Sequence, residues 1–290
     1  MKTYLDCYPC FLRQALAAAQ LAEANEAQQK AVLGRVLDLL KRVDLASTPP
    51  EIGEQVHRIA RQEVESGDPY RKVKEISTRR ALALYPRLKA LLAEADDPLE
   101  MAVRLSIAGN IIDFGPAQGY DLWSTVERVA AQPFAIDDRA AFRESLDRVG
   151  RGVGATPVLY LADNAGETVF DRLLIETLPV PVVYAVKGSP VLNDATREDA
   201  EAAGLDQVAT IVDNGVNAMG TVLNRCSADF CRLYDEAEMV IAKGQANYET
   251  LSDEGPRVFF LLQVKCPVIA RDAGVPVGSI VLRQGARSRK

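Results

Sequence analysis

The order of apolar and polar positions divides the chain into two stretches of different period. In the first, Val32, Leu33, Val36, Leu37 and Leu40 recur three and four residues apart, the spacing of one face of an amphipathic helix. Start signals stand where such runs begin. Asn25 precedes this one, Thr48-Pro49-Pro50-Glu51 joins a capping box to proline at the first helical position ahead of Val56, Ile59 and Ala60, and Asp97-Pro98 opens a run through Met101, Leu105 and Ala108. No strand pattern interrupts residues 1 to about 150, so this half is predicted to be all helical.

The pattern changes near Gly150-Arg151-Gly152-Val153-Gly154. Short β-rich runs then alternate with helical stretches: Val158 to Leu161, Val180 to Val186, Val208 to Val212, Met239 to Ala242, Val258 to Leu262 and Val277 to Leu282. Such alternation predicts a mostly parallel sheet covered by helices. The expected fold is therefore α/β, with an N-terminal all-helical region, residues 1–150, packed on a C-terminal three-layer α/β (Rossmann-like) sheet domain, residues 151–290.

Composition narrows the function classes. With 48% apolar and 26% charged residues in 290, the chain is globular and large enough to bury a core. A net charge of −6 gives no general attraction to nucleic acid or anionic lipid. No segment reaches the ~20 apolar residues of a spanning helix, and a cytoplasmic protein is expected. Cys7, Cys10, Cys226, Cys231 and Cys266 are an odd number in a large chain, so reduced thiols are the default. Cys7-x-x-Cys10 has the spacing of half a zinc site, but packing thiols near the helix start, close to Cys266, are the favoured reading.

In open α/β sheets, ligands bind outside the carboxyl ends of the strands. The segments following the predicted strands are Asp163-Asn164-Ala165-Gly166-Glu167, Lys187-Gly188-Ser189-Pro190 leading to Asn193-Asp194, Asp213-Asn214-Gly215, and Lys243-Gly244-Gln245-Ala246-Asn247. Each alone reads as a helix cap or turn. Together they place Asp163, Asn164, Asp194 and Lys243 on one edge, and oxygen donors of this kind suit a hard cation that keeps sites for phosphate oxygens. The single histidine, His57, falls in a predicted helix, which removes histidine-based triads and histidine-rich zinc centres. Lys187-Gly188-Ser189 lacks the upstream glycine of a Walker loop, and no G-x-G-x-x-G follows the first strand.

These motifs resemble the damage-control phosphatases, long described as a domain of unknown function and related to a protein once proposed to methylate carboxyl groups; the smaller prokaryotic branch is the nearest match. The likeness runs through Cys7-Tyr8-Pro9-Cys10, Asp68-Pro69-Tyr70, Gly109-Asn110-Ile111-Ile112-Asp113-Phe114-Gly115, the Asp163 and Lys243 segments, Pro190-Val191-Leu192-Asn193-Asp194 and Lys265-Cys266-Pro267. Ala246 departs from the glycine expected there.

The resemblance implies a divalent cation (manganese, magnesium, cobalt or nickel) on Asp163, Asn164 and Asp194, with Lys243 on the substrate phosphate and Asn110 and Asp113 lining the pocket. Gly166, through the helix start after it, and Asn247 join the substrate-binding set. Water is the expected nucleophile, with attack by the Asp163 or Asp194 carboxylate as the other route, and Glu167 and Asp113 as candidates to position it. The expected substrate is a small phosphorylated metabolite, a sugar phosphate or a damaged cofactor. The competing readings are an S-adenosylmethionine-dependent carboxyl methyltransferase and a non-catalytic metabolite- or metal-binding module. Oligomeric state is left open.

Overall fold

The computed structural model describes residues 1–64, 67–111, 122–151 and 156–286. Asp113, Gly152, Gly154 and the basic tail 287–290 lie outside them. The helix starts read from sequence are the observed ones. Asn25 and Gln28 form a reciprocal capping box at α2 (Glu26–Leu40). Glu51 accepts from both the backbone N–H and the hydroxyl of Thr48 at the head of α3 (Pro49–Val64). Asp97 accepts from Glu100 N ahead of α5 (Pro98–Ile111). With α1 (Tyr8–Leu21), helices α2 and α3 enclose their own apolar cluster around Phe11, Val32, Val36, Ile52 and Val56. Alanines 15, 18 and 19 on α1 let the helices approach closely. Leu37, placed on the buried face by its period, is 48% exposed; it sits at the margin of a face that Val32, Val36 and Leu40 already fill. His57 is buried on α3 and packs edge-on to Tyr70. Burial holds its imidazole down at a pKa of about 4, so it is a neutral packing residue.

Helices α4 (Arg71–Ala93), α5, α6 (Leu122–Ala131) and α7 (Arg139–Arg151) follow. Between the last two the chain forms β1 (Phe134–Asp137), which corrects the expectation of an uninterrupted helical half. It pairs parallel with β7 (Ile280–Gln284), Phe134 opposite Ile280. At four residues, Phe-Ala-Ile-Asp at the sheet edge is too short for alternation to announce it. The remaining strands fall where the β-rich runs predict: β2 (Val158–Leu161), β3 (Val182–Val186), β4 (Thr210–Asp213), β5 (Val240–Lys243) and β6 (Val258–Gln263).

The seven strands lie in the order β1-β7-β6-β5-β2-β3-β4, and only the β6–β7 pair is antiparallel. Strands β2 and β5 are buried along their whole length, as parallel strands covered on both faces must be. One apolar cluster joins Leu88, Leu105 and Ile107 of the helical half to Tyr160, Phe170, Ile241 and Phe259 of the sheet half. Through it, α5 lies on β6 and on α8 (Thr168–Thr177). Among the described residues, no helix is long and apolar enough to cross a membrane.

Candidate active site

From β2 the chain moves outward to β3 and β4 on one side, then returns to β5 and β6 on the other. The loops leaving β2 and β5 therefore diverge, opening a crevice at their carboxyl ends. Asp163 and Asn164 follow β2, Asp194 follows β3, and Lys243 ends β5. An isolated antiparallel bridge joins Asn164 to Asp194. Ala195 N donates to Asp163 O at 2.8 Å and Ala165 N to Asn193 O at 2.8 Å. Main-chain bonds thus hold the three expected metal donors side by side. Leu192, two residues before Asp194, has φ +45, a left-handed backbone that a branched residue adopts only when its surroundings impose it.

Asp163 Oδ2 accepts from Asn110 Nδ2 at 2.9 Å and from Asn164 Nδ2 at 3.1 Å. Both amides also donate to Glu167. The amide hydrogens of Asn164 are thus turned inward, toward Asp163 and Glu167. Gly244, at the start of α11 (Gly244–Leu251), has φ +76, and a Cβ there would overlap the Asp163 carboxylate. Glycine is needed there on both counts.

Asp163, Asn164 and Asp194 line a cavity of about 380 Å³ together with Arg13, Glu249 and Lys265. Asp194 is 3% exposed, and its Oδ2 is buried without a hydrogen-bond partner; the Lys187 ammonium stands 3.6 Å away, beyond hydrogen-bond reach. Burial pushes the Asp194 carboxyl up to about 6 while Lys187 pulls it down. Burial, then the Glu167 and Asp194 charges, push Asp163 well above the carboxylate range. Two crowded carboxylates, one oxygen of which has an ammonium at 3.6 Å but no hydrogen bond, and an amide oxygen are donors of a kind that suits a divalent cation that retains waters. Among the described residues, no group of three or more His, Cys, Asp and Glu side chains is placed to hold a metal.

The other expected site residues lie behind this wall. Lys243 is fully buried, with its Nζ donating to Ser106 O at 2.9 Å, Asp171 Oδ1 at 2.7 Å and Glu167 Oε2 at 3.2 Å. Burial opposes its charge, yet Asp171 and Glu167 outweigh that and raise its pKa. Asp171, absent from the sequence reading, also accepts from Tyr160, Tyr184 and Ser106 hydroxyls. Its signal was available in the spacing: Glu167, at the end of the 3₁₀ turn, and Asp171, in the first turn of α8, are four residues apart, and both carboxylates reach Lys243. Asn247 bonds Ala162 O and Lys243 O and accepts from Thr221, tying β2 to α11. Gly166 is buried in a 3₁₀ turn ahead of α8. Cys7, Cys10 and Cys266 are free and line the cavity; burial raises Cys7 and Cys10, the state of packing thiols. Two cations missed by sequence reasoning, Arg13 and Lys265, stand at the cavity mouth with exposed side chains.

The family model of the damage-control phosphatase ARMT1-like domain matches residues 3–281. The chain belongs to that family. A damage-control phosphatase of Pyrococcus horikoshii is 32% identical over 288 residues, covering 97% of each chain. One from Archaeoglobus fulgidus is 31% identical, covering 98% of this chain and 99% of its own. The crystal structure of a DUF89 family protein from P. horikoshii superposes with a TM-score of 0.89 at 30% identity, over 98% of this chain and 99% of that one. The likeness thus covers the helical half as well as the sheet.

Proposed function

We propose that this member of the damage-control phosphatase family is a divalent-metal-dependent phosphatase acting on small phosphorylated metabolites, sugar phosphates among them. The observation that carries the reading is the buried Oδ2 of Asp194, without a hydrogen-bond partner and 3.6 Å from the Lys187 ammonium, beside Asp163 and Asn164 on the cavity wall. The names of the relatives support the reaction class. Asp163, Asn164 and Asp194 would hold the cation, with manganese, magnesium, cobalt and nickel all compatible with such donors. When bound, the cation supplies Lewis-acid polarisation of a phosphoryl oxygen.

The rest falls to the chain. Phosphoryl transfer needs positive charge placed against the equatorial oxygens. Lys265 is the side chain suited to it: it lines the cavity, is exposed, and its charge reaches Asp163. Lys243, with its donors engaged below the floor, is a positioning residue. It fixes Glu167, which orients the amides of Asn110 and Asn164 against Asp163. Phe11 and Pro49 from the helical side and Met219 from the loop after β4 exclude water from the organic part of the substrate.

The deciding experiment measures inorganic phosphate released from a panel of sugar phosphates and an aryl phosphate, with each metal and with chelator. Wild type releases phosphate only with metal, and Asp194→Ala abolishes release. Lys265→Ala lowers kcat/KM by about 10²–10³, the usual consequence of removing one transition-state contact, while metal affinity stays within about twofold. Folded wild type that releases nothing with any metal overturns the reading.

A further inference from the structure

The loop from Pro190 to Thr196, which carries Asp194, is gripped at both ends by side chains from the helical half. At its start, Arg61 of α3 donates through Nη1 to Pro190 O at 3.3 Å. At its end, Lys74 of α4 is 4% exposed and bonds Asp199 Oδ2 at 2.9 Å. That same oxygen accepts from Thr196 N at 2.9 Å and Thr196 Oγ1 at 2.7 Å, capping α9 (Arg197–Ala202). Asp68, whose Oδ1 accepts from Tyr70 N at 3.0 Å, lies with Oδ2 3.1 Å from Lys74 Nζ. The Asp68-Pro69-Tyr70 motif, which the site above leaves without a role, is thereby joined to the Asp194 loop.

Between these two grips sits Leu192 at φ +45. A strained residue persists where its neighbours over-determine it, and here restraints from two helices outside the sheet add to the main-chain bonds with the β2 loop. Main-chain bonds fix the middle of the loop: Asp194 N to Val191 O at 3.1 Å within it, and Ala195 N to Asp163 O at 2.8 Å, Ala165 N to Asn193 O at 2.8 Å and Lys187 N to Ala195 O at 2.9 Å to the ends of β2 and β3; Pro190 and the Thr196 cap are held from the helices. A lysine this deeply buried between two carboxylates is unlike an exposed ion pair, which holds nothing in place.

We propose that Arg61 and Lys74 are positioning residues of the metal site, a two-point clamp by which α3 and α4 hold the Asp194 loop in its donor geometry. The proposal rests on the reading of Asp194 as a metal donor, and its test separates the two. Amide hydrogen exchange of the metal-free protein is compared with calorimetric manganese affinity for wild type, Lys74→Met and Arg61→Gln. Lys74→Met speeds exchange at Asp194 and Ala195 at least tenfold, leaves Val240 and Ile241 in the central sheet within twofold, and weakens manganese binding at least tenfold. Arg61→Gln, which leaves no carboxylate unpaired, moves the same amides several-fold and decides the matter should Lys74→Met fail to fold. Uniform acceleration across the sheet, or an unchanged loop in both variants, overturns the clamp. Wild type that binds no manganese overturns the metal reading instead, and the exchange pattern still decides the clamp.

Discussion

Lys243→Met removes the charge from the buried triad while keeping most of the side chain's length. Lys243 Nζ stands 2.7 Å from Asp171 Oδ1 and 3.2 Å from Glu167 Oε2, and no side chain of the three is more than 2% exposed. At an effective dielectric near 20, unit charges about 3 Å apart attract by roughly 5–6 kcal/mol, most of which offsets their desolvation. What the substitution exposes is the remainder: two carboxylates buried without a counter-charge, a loss of about 3–5 kcal/mol. With an unfolding entropy near 2.1 cal/mol/K per residue, a chain of this length loses roughly 5–8 °C in Tm. Burial already holds Asp171 above its ordinary pKa against the pull of Lys243, and without the lysine it rises further. A carboxyl raised in the folded state bears no penalty below the unfolded pKa of about 4 and an increasing one as pH climbs toward the folded value. The deficit of Lys243→Met is therefore larger at pH 8 than at pH 5. Scanning calorimetry at both values checks this. A loss below about 1 kcal/mol, with kcat/KM reduced, would refute the buried counter-charge and return Lys243 to the phosphate.

Two further outcomes follow from the same geometry. Because Asp194 sits at about 6 in the folded protein and near 4 when unfolded, its contribution to metal-free stability falls by on the order of 2–3 kcal/mol as pH rises between those values. Manganese consequently raises Tm more at pH 7 than at pH 5, a difference that thermal melts with and without metal read directly. Gly244→Ala introduces a left-handed alanine, at about 1–2 kcal/mol, and presses its Cβ into Asp163. Urea unfolding shows a loss above about 2 kcal/mol in total and calorimetry a metal affinity weakened more than tenfold, whereas wild-type affinity would show that Asp163 is no donor.

The strands after Gly150 and the capped helices before it were legible because each rests on local chemistry: a run of buried β-branched residues, or a side-chain oxygen over a helix start. Strand β1 was not, since a four-residue edge strand owes its existence to β7, almost 150 residues later. The loops bearing Asp163, Asn164 and Asp194 could be read from their place after strands. That they meet through a main-chain bridge could not, because adjacency of β2 and β3 is a property of the sheet. Lys243 illustrates the limit most clearly. Its position at the end of β5 gave no indication of whether the ammonium turns up to the crevice or down to Asp171, and only the carboxylate one helical turn beyond Glu167 decides it.

The separation of the buried clusters bears on how a substrate enters. Helices α1 to α3 cohere around their own apolar centre, whereas α4 to α7 share theirs with the sheet, to which β1 further stitches them. The cavity lies at the seam, walled by Cys10, Phe11 and Pro49 from one body and by the strand-end loops from the other. No strand crosses the seam, which is spanned instead by polar contacts, Arg61 to Pro190 and Arg225 to Glu54, and by Met219 packed against Gly53 of α3, so any widening of the entrance there would have to loosen these contacts rather than the sheet. Access and donor geometry are thus coupled through α3, which both walls the entrance and grips the loop beneath it.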